Sequence, residues 1–105
     1  MNWPDVCALI RQLGLRVRLR IRGAETQEWG SFLGVPTSGY LEVHGPHSLT
    51  DVVCVEVDPV EVRHRGRLVA PLLVDRRAEL LESLARLGFS TVVLESGVVA
   101  VGLDR

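Results

Sequence analysis

Arg16-Val17-Arg18-Leu19-Arg20-Ile21-Arg22 alternates guanidinium and aliphatic side chains without a break. In a strand, successive side chains point to opposite faces. Val17, Leu19 and Ile21 therefore line one face and four arginines the other. Such a row of like charges needs an anion opposite, and two kinds fit. One is a phosphate backbone, which guanidinium groups bind as forked donors. The other is a set of acidic side chains on neighbouring strands, with Glu25, Glu28, Glu56 and Glu61 as the partners on offer. Arg63, Arg65 and Arg67 lie around a glycine and would extend a phosphate track, while Tyr40 offers a ring on which a base can stack.

The distribution of charge bears on that choice. Residues 1–23 balance at +4, residues 24–62 hold seven acids and no arginine, and residues 63–105 balance at +2, for a net charge of −1. This segregation suits strands that pair basic against acidic and equally a surface with distinct poles. A dedicated nucleic-acid binder is usually markedly basic, whereas this chain is near neutral and has five aromatic residues. The leading expectation is a non-catalytic module that binds a protein partner or assembles with itself, its arginine row neutralised internally. The alternative is binding of RNA or single-stranded DNA through Arg16, Arg18, Arg20, Arg22, Tyr40, Arg63, Arg65 and Arg67.

Other chemistry is poorly supplied. All twelve basic residues are arginine, which excludes Schiff bases, P-loop lysines and lysine general bases. His44, His47 and His64 with Cys54 fit no zinc-ligand spacing and read as ordinary loop or strand residues. No nucleophile elbow, His-Glu-x-x-His, phosphate loop or dinucleotide fingerprint occurs, and Asp51 and Glu56 have no histidine at a suggestive spacing. Neither an enzyme nor a cofactor is expected. Cys7 and Cys54 fit no redox motif, no apolar run approaches the length of a membrane span, and the first residues do not read as a signal peptide. A cytoplasmic protein with reduced thiols is expected.

The elements that must position these residues are short. Val6, Leu9, Ile10 and Leu13 follow helical spacing from Pro4 to Leu13, and Gly14 supplies the stop. Strands are expected at Arg16–Arg22, Trp29–Val35, Tyr40–His44 and Val52–Val57, with a polar loop over 24–29. A hairpin of Val60–His64 and Arg67–Ala70 is expected about an Arg65-Gly66 turn. A second helix starts at an Asp75 N-cap, buries Leu80, Leu81, Leu84 and Leu87, and carries a Glu82–Arg86 pair. A closing hairpin of Thr91–Glu95 and Val98–Leu103 is so apolar that both of its faces should be covered.

Gly30-Ser31-Phe32-Leu33-Gly34-Val35 followed by Tyr40-Leu41-Glu42-Val43 resembles the first motif of the Sm-like small barrels, and Arg65-Gly66-Arg67-Leu68-Val69 is similar to the second. Pro4, Leu9, Gly14, Val17, Leu19 and Gly23 match that family's N-terminal helix and first strand. The resemblance spans about residues 4–72. It implies an RNA-binding ring whose base pocket uses an Asp and an Asn of the first motif and the Arg of the second. Here those positions are Pro36, Tyr40 and Arg65, so only the arginine is kept.

The fold expected is α+β and mainly β: one domain over 1–105, a strongly bent antiparallel sheet or SH3- or Sm-like barrel over 4–72, and a helix–hairpin extension over 73–105. Its size and apolar content point to a homo-oligomer, paired through the 60–70 hairpin or the 98–103 strand.

Overall fold

The computed structural model describes residues 2–103 and is α+β, mainly β. Helix α1 (Trp3–Leu13) begins with a proline in its first turn and ends at Gly14, whose φ of 67° makes the left-handed cap. Strand β1 (Arg16–Ile21) follows, then β2 (Tyr40–Glu42), β3 (Pro46–Ser48), β4 (Val52–Asp58), β5 (Val60–Arg63) and β6 (Leu72–Asp75). Helix α2 (Arg77–Arg86), β7 (Thr91–Val93) and β8 (Val99–Gly102) complete the chain.

The main sheet has the order β1-β4-β8-β7, antiparallel throughout. Val17, Leu19, Val55, Val57, Val99 and Val101 form its buried face. Val6 and Ile10 of α1 and Leu80 and Leu84 of α2 belong to the same core, as do Leu33, Leu41 and Val43. Burying one such aliphatic side chain contributes roughly 1.5–3 kcal/mol, against about 0–1 kcal/mol for an exposed ion pair. The apolar half of the alternation therefore decides which face of β1 turns inward, and the arginines follow onto the other.

The outer edge of β1 is closed by the following loop. Val17 exchanges both backbone hydrogen bonds with Gly30, at 2.8 and 2.7 Å. The Gln27 side chain accepts from the Leu19 amide at 2.8 Å and donates to the Val43 carbonyl at 2.9 Å. The other edge of the sheet, β7, leaves Val92 and Val93 exposed.

Several expectations are corrected. Among the described residues none of the three sheets closes on itself, so no barrel forms there. Trp29–Val35 is not a strand; its ladder pairing is limited to single bridges at Gly30 and Gly34. Pro46–Ser48, outside the expected strands, is a strand paired with β2, with Pro46 at its first position, where a missing N–H is tolerated. The partner of β5 is Leu72–Asp75 and not Arg67–Ala70, because the turn extends through Pro71. Asp75 ends β6 and Arg76 is the N-cap of α2, although Asp75 Oδ1 still accepts from the Arg77 amide. Residues 91–102 are no appendage: β8 sits beside β4 inside the main sheet. β8 has β4 on one side and β7 on the other, so residues 99–102 offer no free edge for pairing. The exposed valines of β7 likewise contradict full covering of that hairpin.

Candidate functional site

The register of β1 on β4 sets Arg16 opposite Asp58, Arg18 opposite Glu56 and Arg20 opposite Cys54. Arg16 pairs with Asp58. Arg18 donates from Nε to Glu56 Oε1 at 2.8 Å, and Arg20 lies 3.4 Å from Oε2 of the same carboxylate. Glu56 is 1% exposed; a buried carboxylate is tolerated only when paired and hydrogen-bonded, and here two guanidinium groups share it. Trp29 lies against the row, its ring centroid 4.2 Å from Arg18 Cζ and 5.7 Å from Arg16 Cζ, a cation–π arrangement. Of the acids expected to face the row, Glu56 does so and Asp58 joins it. Glu25 and Glu28 have no ion pair among the described residues, and Glu61 pairs elsewhere, with Arg63 and Arg76.

The remaining arginines are dispersed. Arg22 lies just past β1 and is exposed, without an ion-pair partner among the described residues. Arg65 folds back on the Ala70 carbonyl with two hydrogen bonds, at 2.9 and 3.2 Å. Arg67 is exposed at the turn of the β5–β6 hairpin and has no partner among the described residues. Arg63, Arg65 and Arg67 thus belong to a separate two-stranded sheet and its turn, not to the β1 surface. Tyr40 is exposed at the start of β2.

That hairpin forms an arm of its own. Its turn and second strand expose Leu68, Val69, Leu72 and Leu73, with Leu68 96% exposed. Arg76 anchors its base: the amide donates to the Pro59 carbonyl, and the guanidinium joins Glu61 to Glu79. The cations of Arg63 and Arg76 hold the Glu61 carboxyl below the usual glutamate range.

Elsewhere a cleft of about 300 Å³ is lined by Gly30, Ser31, Phe32, Glu42, Val43, His44 and Gly45, at the small end of ligand-sized cavities. A Cβ on Gly34 would lie 2.7 Å from the Phe32 ring and 3.8 Å from Glu42 Oε1, so ring and carboxylate flank one glycine. Phe32 is exposed, and Glu42 has no cationic partner among the described residues. His44 takes a φ of 57°, uncommon for a residue with a side chain, and its Nε2 lies 3.1 Å from the Glu28 carbonyl. The cleft escapes sequence reading because it joins residues on either side of a turn; the His44-Gly45 pair is its one local sign.

Among the described residues no three His, Cys, Asp or Glu side chains gather as a metal site, and no helix is long and apolar enough to cross a membrane. His47 lies 3.3 Å from Gln27 Nε2. Cys7 and Cys54 are free, their thiol pKa values raised chiefly by burial, which lowers the fraction of reactive thiolate. No protein-family model matches the chain, and comparison with curated proteins and with solved structures gives no significant match.

Proposed function

We propose that this chain is a non-catalytic module that works by protein contact, either with a partner protein or with further copies of itself, and that the β5–β6 arm is its contact surface. The observation that carries the reading is the display of Leu68, Val69, Leu72 and Leu73 on a two-stranded hairpin. Such a hairpin is marginal alone in water, and clustered exposed aliphatic side chains gain free energy when a second surface covers them. The arginine row supports the same choice, since Arg16, Arg18 and Arg20 already have carboxylate partners. The Sm-like resemblance enters only as that of a small β module acting by contact; Pro36 and Tyr40 supply no base pocket of that family's type. The proposal puts the protein in the cytoplasm, in keeping with two free thiols.

Replacing Leu68 by a photo-crosslinking amino acid in living cells tests this. A protease-sensitive, nuclease-resistant adduct is expected, absent when the same group replaces Gln12, which is exposed on α1. A nuclease-sensitive adduct would transfer the function to nucleic acid. No adduct above the Gln12 control would also end the proposal.

A further inference from the structure

We infer that the arm of one copy docks into the Phe32–Glu42 cleft of a second copy, a head-to-tail contact between two different surfaces of the same chain. The inference rests on the reading of the arm as a contact surface and names its occupant. Three observations converge on it.

The first is complementary charge. Arg67 stands at the arm's turn without a partner among the described residues, next to the 96% exposed Leu68. Glu42 in the cleft has no cationic partner among the described residues. Residues 24–51 contain acids and no arginine, so a guanidinium for the cleft comes from another segment.

The second is shape and chemistry. The cleft's roughly 300 Å³ suits one or two side chains better than a larger ligand. Its exposed aromatic ring beside a carboxylate suits a guanidinium, which can stack on the ring and donate to the oxygens. The Leu68 side chain finds apolar cover on the exposed Phe32 ring.

The third is the poor fit of the symmetric alternative. Two arms meeting tip to tip about a two-fold axis bring Arg67 against its own copy, and like charges set together across an interface are unfavourable. A head-to-tail contact avoids this. It also leaves each dimer with one free arm and one free cleft, so assembly continues beyond two copies.

Mass photometry and sedimentation on the full chain test the inference. Wild type should populate species larger than a dimer at micromolar concentration. An arm variant, Arg67→Glu with Leu68→Ser, and a cleft variant, Glu42→Lys, should each be monomeric over at least about a tenfold wider concentration range. The arm positions are solvent-exposed, and circular dichroism on Glu42→Lys checks that β2 is intact. Mixing the two variants should restore a 1:1 dimer and nothing larger, because each retains the surface the other lacks. A wild type that stays monomeric at high micromolar concentration overturns the inference, as does a cleft variant that assembles like wild type or a mixture that fails to pair. A protein adduct at position 68 with the mass of a different protein overturns the inference while leaving the arm's role as a contact surface standing.

Discussion

Arg18 and Glu56 face each other directly across β1 and β4, joined at 2.8 Å, with the carboxylate 1% exposed and the arginine side chain 25% exposed. The pair is asymmetric: the anion is committed to the protein interior, whereas the cation keeps a route to water.

Removing Arg18 and removing Arg20 should therefore differ. Arg18→Ala takes away the closer partner of a buried carboxylate and the guanidinium over Trp29, at a cost of about 2 kcal/mol. Arg20 is 51% exposed and 3.4 Å away, so Arg20→Ala should cost less than about 1 kcal/mol. Urea unfolding of both variants checks the order; equal losses would mean that Glu56 is held by neither in particular.

Gly30 and Gly102 make a second contrast. A Cβ on Gly30 would lie 2.8 Å from Val43 Cγ1 and 3.4 Å from the Val17 carbonyl, so Gly30→Ala must displace the buried Val43 side chain, costing about 1–3 kcal/mol. At Gly102 the nearest atom is 3.6 Å away, an ordinary contact, and Gly102→Ala should stay within about 0.5 kcal/mol of wild type or gain slightly by restricting the unfolded chain. Thermal melts of the two variants decide.

Acid should weaken the base of the arm. Glu61's carboxyl is held low in the folded state, first by its hydrogen bond with Arg63 and then by that with Arg76. A group with a depressed folded pKa contributes stability above its unfolded value and loses it as pH falls through the folded one. Amide protection in β5 and β6, taken relative to the unstructured rate at each pH, should therefore drop once the pH is below the ordinary glutamate range. Glu61→Gln should remove that dependence, and an unchanged pH profile in the variant would show that Glu61 is not its source.

Oligonucleotide binding should be absent. With Arg16, Arg18 and Arg20 engaged by Asp58 and Glu56, single-stranded RNA or DNA should show no measurable affinity at about 50 mM salt. Binding that falls with a log–log slope near −0.7 per phosphate contact, and that weakens in folded Arg18→Ala and Arg20→Ala variants, would reverse the ranking of protein over nucleic acid.

Local signals in the sequence were strong where one residue type repeats on one face. The stripe Val6–Ile10 with Gly14 marks α1 to within a residue, the alternation at 16–22 marks β1, and Glu82 and Arg86 pair as their spacing predicts. The failures are those of partner choice. Val60–Arg63 has apolar strand candidates at both 67–70 and 72–75, and nothing local tells which one closes the hairpin. Gly30 and Gly34 read as strand positions, yet their bare backbones serve close approach to Val43 and Phe32. The candidate cleft is illegible for the same reason, since Phe32 and Glu42 meet only once β2 has folded back on Gly34.

The place of β8 between β4 and β7 has a consequence for biosynthesis. A nascent chain that has just completed β4 can pair it with β1 on one side, but the other side stays open until residues 99–102 leave the ribosome. Until then Val55 and Val57 lack the neighbours Val101 and Val99 that complete their layer, and a half-finished sheet of this kind is an invitation to mispairing. The main sheet therefore cannot be completed in instalments: β8, which joins β4 to β7, comes from the far end of the described residues, a long-range pairing of the kind that forms late.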